Sequence, residues 1–130
     1  MSKEILTHPV IQEIVDKGRV PLSLATRGGG LIFVGGLPPL NLDTGKLVTG
    51  NIEEQTTASL NAIKTVLEAN GSDMSKIMKT TVFAVNAGMF DRVNDAYRAF
   101  FPSEPPARTF VTVGSWPWPF DIEIEAIALA

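Results

Sequence analysis

Between Phe120 and Leu129 the side chains alternate with a period of two. Phe120, Ile122, Ile124, Ala126 and Ala128 form one row, and Asp121, Glu123, Glu125, Ile127 and Leu129 form the other. Such alternation belongs to a β-strand, whose successive side chains leave opposite faces of a sheet. The first row is apolar throughout and must face a core. The second begins acidic and ends apolar, so the far face of the sheet is itself partly apolar. A sheet of that kind is unfinished in one chain, which predicts association through the second face with charges near its rim. A companion strand, Ala107 to Val113, enters from Pro105-Pro106 and carries Arg108 near its start. Ionised groups are rarely fully buried unless paired or bound. Arg108 is therefore either ion-paired, with Glu123 or Asp121 as candidates, or aimed at a ligand.

The remaining elements follow from period and punctuation. Val10, Ile11, Ile14 and Val15 recur at helical spacing after Pro9, with Gly18 as the stop. Pro21 then releases the chain into a strand over Leu22 to Thr26. Gly28-Gly29-Gly30 turns it into Leu31-Ile32-Phe33-Val34, an apolar run that predicts a strand covered on both faces, so the first two strands form a hairpin. Gly35-Gly36 ends that strand, either as plain turn chemistry or to let a ligand approach the backbone. Residues 41–46 read as a turn-rich connector. Asn51 with Glu54 has the form of a capping box, and Ile52, Leu60, Ile63 and Leu67 mark one stripe, so an amphipathic helix spans 52–69. A strand over 79–85 and a helix over 88–101, with Met89, Val93, Ala96, Tyr97 and Phe100 as its stripe and Pro102 as its stop, precede the closing pair at 107–113 and 120–129. Two main helices on one face of a sheet make an α+β layer, and 130 residues are most simply one domain, 1–130.

Composition excludes several kinds of chemistry. There is no cysteine, so disulfides, thiolate nucleophiles and cysteine metal sites are absent. The lone His8 cannot build a zinc site and reads as a surface residue. A net charge of −3 provides no basic face for nucleic acid. The start, Met1-Ser2-Lys3-Glu4, carries no apolar signal region, and no run reaches the ~20 apolar residues a membrane span needs, so a cytoplasmic location without a membrane partner is expected.

Five stretches together resemble the RidA/YjgF family of imine and enamine deaminases. They are Gly30-Leu31-Ile32-Phe33-Val34-Gly35-Gly36, Lys79-Thr80-Thr81-Val82-Phe83, Val93-Asn94-Asp95-Ala96-Tyr97 with Phe100-Phe101, Pro106-Ala107-Arg108-Thr109, and Ile122 to Ala128. The resemblance runs over nearly the whole chain after about residue 20, and the closing pair is its most specific part. It implies a chorismate-mutase-like α+β fold with a mixed sheet, assembled as a barrel-like homotrimer with ligand clefts between subunits. It implies hydrolysis of reactive 2-imino or enamine acids to 2-keto acids and ammonia, without cofactor or metal. Arg108 matches the family arginine that grips the substrate carboxylate, and Glu123 the glutamate that positions or activates water. Gly36 and the backbone of Phe110 match positions lining the cleft. Asn94 matches a helix position near the site, although it could simply bond neighbouring backbone.

Three departures from the family pattern reshape the expected cleft. The family's Pro-Tyr-Ser-Gln is here Pro21-Leu22-Ser23-Leu24, which puts Leu22 at a substrate-facing position. Gly-Gln-Ile-Pro is here Gly36-Leu37-Pro38-Pro39, and the small thiol often found after Arg-Ser is Phe110. Gly114-Ser115-Trp116-Pro117-Trp118-Pro119-Phe120 adds two tryptophans, as subunit packing or as a lid over a larger substrate with Trp116 contacting it. Three functions compete: a deaminase of small 2-imino acids, a 2-aminomuconate-type enamine deaminase, and a non-catalytic trimer that binds a carboxylate metabolite.

Overall fold

The computed structural model describes residues 2–130. In chain order the elements are β1 (Glu4–Leu6), α1 (Pro9–Gly18), β2 (Ala25–Gly28), β3 (Leu31–Leu37), β4 (Leu40–Asn41), β5 (Lys46–Leu47), α2 (Ile52–Ala69), β6 (Ile77–Ala84), α3 (Phe90–Arg98), β7 (Ala107–Thr112) and β8 (Ile122–Leu129). The main sheet runs β1-β2-β3-β8-β6-β7, and β4 with β5 forms a separate small ladder. All neighbours in the main sheet are antiparallel except β6 and β7, which are parallel and joined through α3. Among the described residues no helix is long and apolar enough to cross a membrane.

The last strand sits at the centre of the sheet. β8 pairs with β3 on one side and β6 on the other, which explains why its two-row pattern is so strict. Ile122, Ile124, Ala126 and Ala128 are buried beneath the helices. α2 supplies the opposing layer: Leu60, Ile63, Val66 and Leu67 are fully buried against the sheet. Burying side chains of that size contributes about 1.5–3 kcal/mol each. The helix starts where the capping box places it. The Asn51 side chain accepts from the Glu54 amide at 2.9 Å, and the Asn51 amide donates to the Glu54 carboxylate at 3.3 Å.

The other face of the sheet is bare. Ile5, Thr26, Phe33, Ile127 and Lys79 lie in one row across it, fixed by register. Phe33 is 44% exposed, and Ile5, Leu129 and Val111 are exposed with it. The apolar run at Leu31–Val34 predicted cover on both faces, and within the chain only one is covered. Ile32 and Val34 are buried and Phe33 is not.

Other expectations shift at the edges. The strand expected from Leu22 begins at Ala25, and α3 starts at Phe90, behind a 3-10 turn at Ala87–Met89, and ends at Arg98. α1 ends on Gly18, but the left-handed cap is Arg19, with φ 53°. His8 is the N-cap of α1: its Nδ1 accepts from the Val10 amide at 3.3 Å. The connector at 41–46 is a tight two-residue ladder, held by the Asn41 carboxamide accepting from the Asp43 and Thr44 amides. β1, too short to show a period, went unpredicted.

Candidate active site

Arg108 stands on β7, an edge strand, and faces the helices. Its register partner on β6 is Thr80, which is fully buried and whose hydroxyl bonds the Tyr97 hydroxyl of α3 at 2.7 Å. The guanidinium carbon of Arg108 lies 4.9 Å from the Tyr97 ring centre and 5.4 Å from that of Phe90. Both distances fall within the range at which a cation is attracted by an aromatic face. Phe90 and Phe110 meet edge to face, with centroids 5.1 Å apart. Burial pushes the Tyr97 phenol above its usual range, which outweighs its Thr80 hydrogen bond and the nearby arginine. Of the two alternatives for Arg108, the structural ion pair with Glu123 or Asp121 does not form; among the described residues no carboxylate pairs with Arg108.

Glu123 lies on the opposite face. Its register partner is Phe83, three residues along β6 from Thr80, and an odd step along a strand reverses the face. Its carboxylate is laid over Gly36. A Cβ placed on Gly36 would stand 1.9 Å from Glu123 Oε1, so any side chain there displaces the acid. Gly35 and Gly36 form a bulge in β3: Val34 pairs with Ala126 and Leu37 with Ile124, which leaves the two glycines opposite Glu125 alone. The glycine pair is thus more than a turn; it makes room for a carboxylate. Burial raises the pKa of Glu123, the negative charge of Glu125 raises it further, and the Trp116 side chain opposes both.

Three further positions frame this acid. The Leu22–Leu24 segment runs beside the bulge, with the Gly35 amide donating to the Leu24 carbonyl at 2.9 Å, and Leu22 is 52% exposed. Trp116 stacks on Phe120 at 4.7 Å, while Trp118 is 57% exposed. Both tryptophans line an open cleft of about 570 Å³ together with Gln55 and Asp121. Asp121 is scaffold. Its carboxylate and amide are both held by the buried Gln55 carboxamide, at 3.1 and 2.8 Å, and Gln55 also donates to the Gly50 carbonyl at 2.9 Å. That staple fixes the chain just before Glu123.

The predicted residues therefore fall into two half-sites. Arg108 and Phe110 belong to the helix side of β7; Gly36, Glu123, Trp116 and Leu22 belong to the bare face and its rim. Asn94 lies on the same α3 face as Phe90 and Tyr97, at i+4 and i−3 spacing, and its Oδ1 is buried without a hydrogen-bond partner among the described residues. One chain does not bring Arg108 and Glu123 together. Sequence reasoning missed Phe90, Thr80 and Gln55, and placed Tyr97 only in the core. The seven-residue spacing of Phe90 and Tyr97, which puts both rings on one helix face, was the available signal. Among the described residues no three His, Asp or Glu side chains are grouped to hold a metal ion.

Comparison with known proteins covers the whole arrangement. A family model described as Endoribonuclease L-PSP matches residues 16–130. A RutC family protein of Pyrococcus abyssi is 36% identical over 128 residues, 98% of each chain. A 2-iminobutanoate/2-iminopropanoate deaminase of Dermatophagoides farinae is 32% identical, covering 98% of this chain and 96% of that one. Among solved structures, a Rid-family protein of unknown function from Yersinia pestis superposes with a TM-score of 0.87 at 34% identity, over 99% of this chain and all of the other.

Proposed function

The chain belongs to the RidA/YjgF family, whose named relatives include imine deaminases, and on that premise we propose that it hydrolyses 2-imino acids to 2-keto acids and ammonia in a site shared between two copies of the chain. The observation that carries this reading is the division of charge. An arginine with no anionic partner among the described residues and a carboxylate of raised pKa stand on opposite faces of one sheet, beside an apolar face left bare. A head-to-tail contact sets one surface of a subunit against a different surface of the next. Closing such contacts into a ring, as in a trimer, brings the Arg108 half-site of each copy to the Glu123 half-site of its neighbour.

In that site Arg108 takes the substrate carboxylate through two parallel charge-assisted bonds, which fixes orientation as well as charge. The protonated imine carbon then faces a water held by Glu123. As the water oxygen adds to that carbon, Glu123 accepts one of its protons and a carbinolamine forms. The nitrogen takes up the proton, the carbon–nitrogen bond breaks, and the hydroxyl proton is released as the carbonyl forms, giving ammonia and the 2-keto acid. The raised pKa of Glu123 suits a group that must both accept and return a proton, an effect typically worth 10²–10⁴-fold. The imine is already electrophilic, so positioning supplies much of the remainder.

The test couples a threonine dehydratase to this protein and follows 2-oxobutanoate release. Acceleration by the wild type, lost in Arg108→Ala and Glu123→Ala, is the expected result. No acceleration, together with binding of 2-oxobutanoate, points instead to a carboxylate-binding protein. A second reading, a 2-aminomuconate-type enamine as substrate, is favoured by one feature: Leu22, Trp116 and Trp118 give the acid side of the site an apolar rim. The name of the family model includes RNA cleavage, but 11 basic against 14 acidic residues provide no electrostatic footing for it.

A further inference from the structure

We propose that Phe90 and Tyr97 are positioning residues for Arg108, an aromatic clamp that holds the guanidinium by cation–π contact and leaves its charge uncompensated for the substrate carboxylate. The inference rests on the reading of Arg108 as the carboxylate-binding residue. An arginine on an edge strand has many rotamers, and ordering such a side chain on binding costs affinity. Proteins usually order arginine with an acidic partner. A carboxylate partner here would compete for the same N–H groups that the substrate needs, and among the described residues none is supplied.

The rings solve that problem without supplying an anion. Tyr97 lies 4.9 Å and Phe90 5.4 Å from the guanidinium carbon, within the range at which each ring attracts the cation, and neither ring is an anion that would occupy its N–H groups as a carboxylate would. Each ring is itself fixed. The Tyr97 hydroxyl is tied to the buried Thr80 hydroxyl at 2.7 Å, and Thr80 is the register partner of Arg108. The same pair of neighbouring strands therefore sets both the arginine and its aromatic floor. Phe90 is braced edge to face by Phe110, two residues beyond Arg108 on the same side of β7. Because Tyr97 stays a neutral phenol across the working pH range, the attraction is to a ring and not to a phenolate. Lysine carries a compact ammonium and cannot present a planar fork to the carboxylate.

The test uses the assembled protein and 2-oxobutanoate as the binding probe. Phe90 begins α3 and is exposed, so Phe90→Leu keeps apolar bulk without disturbing the core. It should weaken 2-oxobutanoate binding and raise KM about 3–10-fold, with kcat changed less than about twofold, the size of one lost cation–π contact. Phe90→Tyr should restore both. Phenylalanine analogues carrying one, two and three ring fluorines at position 90 keep the shape but progressively remove the negative ring face. Affinity should fall stepwise with each fluorine, a response that simple packing does not give. Flat affinity across the fluorinated series, with Arg108→Ala still abolishing binding, overturns the clamp and leaves the function standing. Unchanged binding in Arg108→Ala overturns the function reading itself.

Discussion

If Arg108 and Glu123 meet only across a subunit boundary, two inactive chains should make an active mixture. Arg108→Ala lacks the carboxylate grip and Glu123→Ala lacks the acid, so each homo-oligomer is inactive at every site. In a mixed oligomer a site is whole when its arginine comes from the Glu123→Ala chain and its glutamate from the Arg108→Ala chain. With equal amounts and random assembly each condition holds half the time, so about a quarter of the sites are restored, whatever the number of subunits in a head-to-tail ring. The geometry behind this is the odd step on β6: Thr80 pairs with Arg108 and Phe83 with Glu123, which turns the two side chains to opposite faces. Co-refolding the two variants at equal concentration and measuring 2-oxobutanoate release in the coupled dehydratase assay reads the fraction directly. Recovery near a quarter of wild type is the expected value. Shuffled oligomers, verified by a mass tag on one variant, that show no recovery would refute the shared site, because a site built within one chain can never be complemented.

Gly36→Ala places a methyl 1.9 Å from the present position of Glu123 Oε1 and must push the carboxylate outward by more than an ångström. Misplacement on that scale costs on the order of 10²-fold in rate; kcat should fall with 2-oxobutanoate affinity retained, and the loss should vanish in a Glu123→Gln background. On the proposed mechanism Glu123 acts as its carboxylate, so with its pKa raised the acid limb of the rate profile should lie above the ordinary glutamate range. Stability follows the same sign. The native state holds this proton more tightly than the unfolded chain, so stability falls as pH rises through the raised value, and Glu123→Gln should melt later than wild type at neutral pH, with the gap closing below the unfolded pKa. Gln55→Ala removes the staple on Asp121 and Gly50 and should cost about 2–3 kcal/mol in denaturant unfolding, with a fall in kcat because the entry to β8 loosens.

Much of this architecture was legible because local chemistry and tertiary need agree. α2 is written twice, once as the Asn51–Glu54 box and once as a 3.6-residue stripe, and its bounds come out as read. β8 is legible because both its neighbours bury one row. What escaped had no period or used an unusual residue. β1, β4 and β5 have two or three residues each. α1 is capped by histidine at one end and by a left-handed arginine at the other, positions where serine and glycine are the common choices.

The site was half legible for a more general reason. Residue types identified Arg108 and Glu123 separately, since each is a charge set into apolar strand sequence. Their relation depends on register against a third strand, and register is a tertiary quantity. A shift of β7 by one residue along β6 would put Arg108 on the same face as Glu123 and make a site within one chain. What holds the actual register is burial: Thr80 must face α3 to bond Tyr97, and Phe110 must face Phe90. The same contacts that pack α3 on the sheet thus turn the arginine away from its acid. On the proposed function, the bare face with Phe33, Leu129 and Val111 is then no defect of packing but the surface that a second copy must cover to complete the chemistry. Phe33→Asp, placed at the middle of that face, should therefore lower activity and apparent subunit number together. Activity that survives in a monomer would separate the catalytic residues from the interface and return both to a single chain.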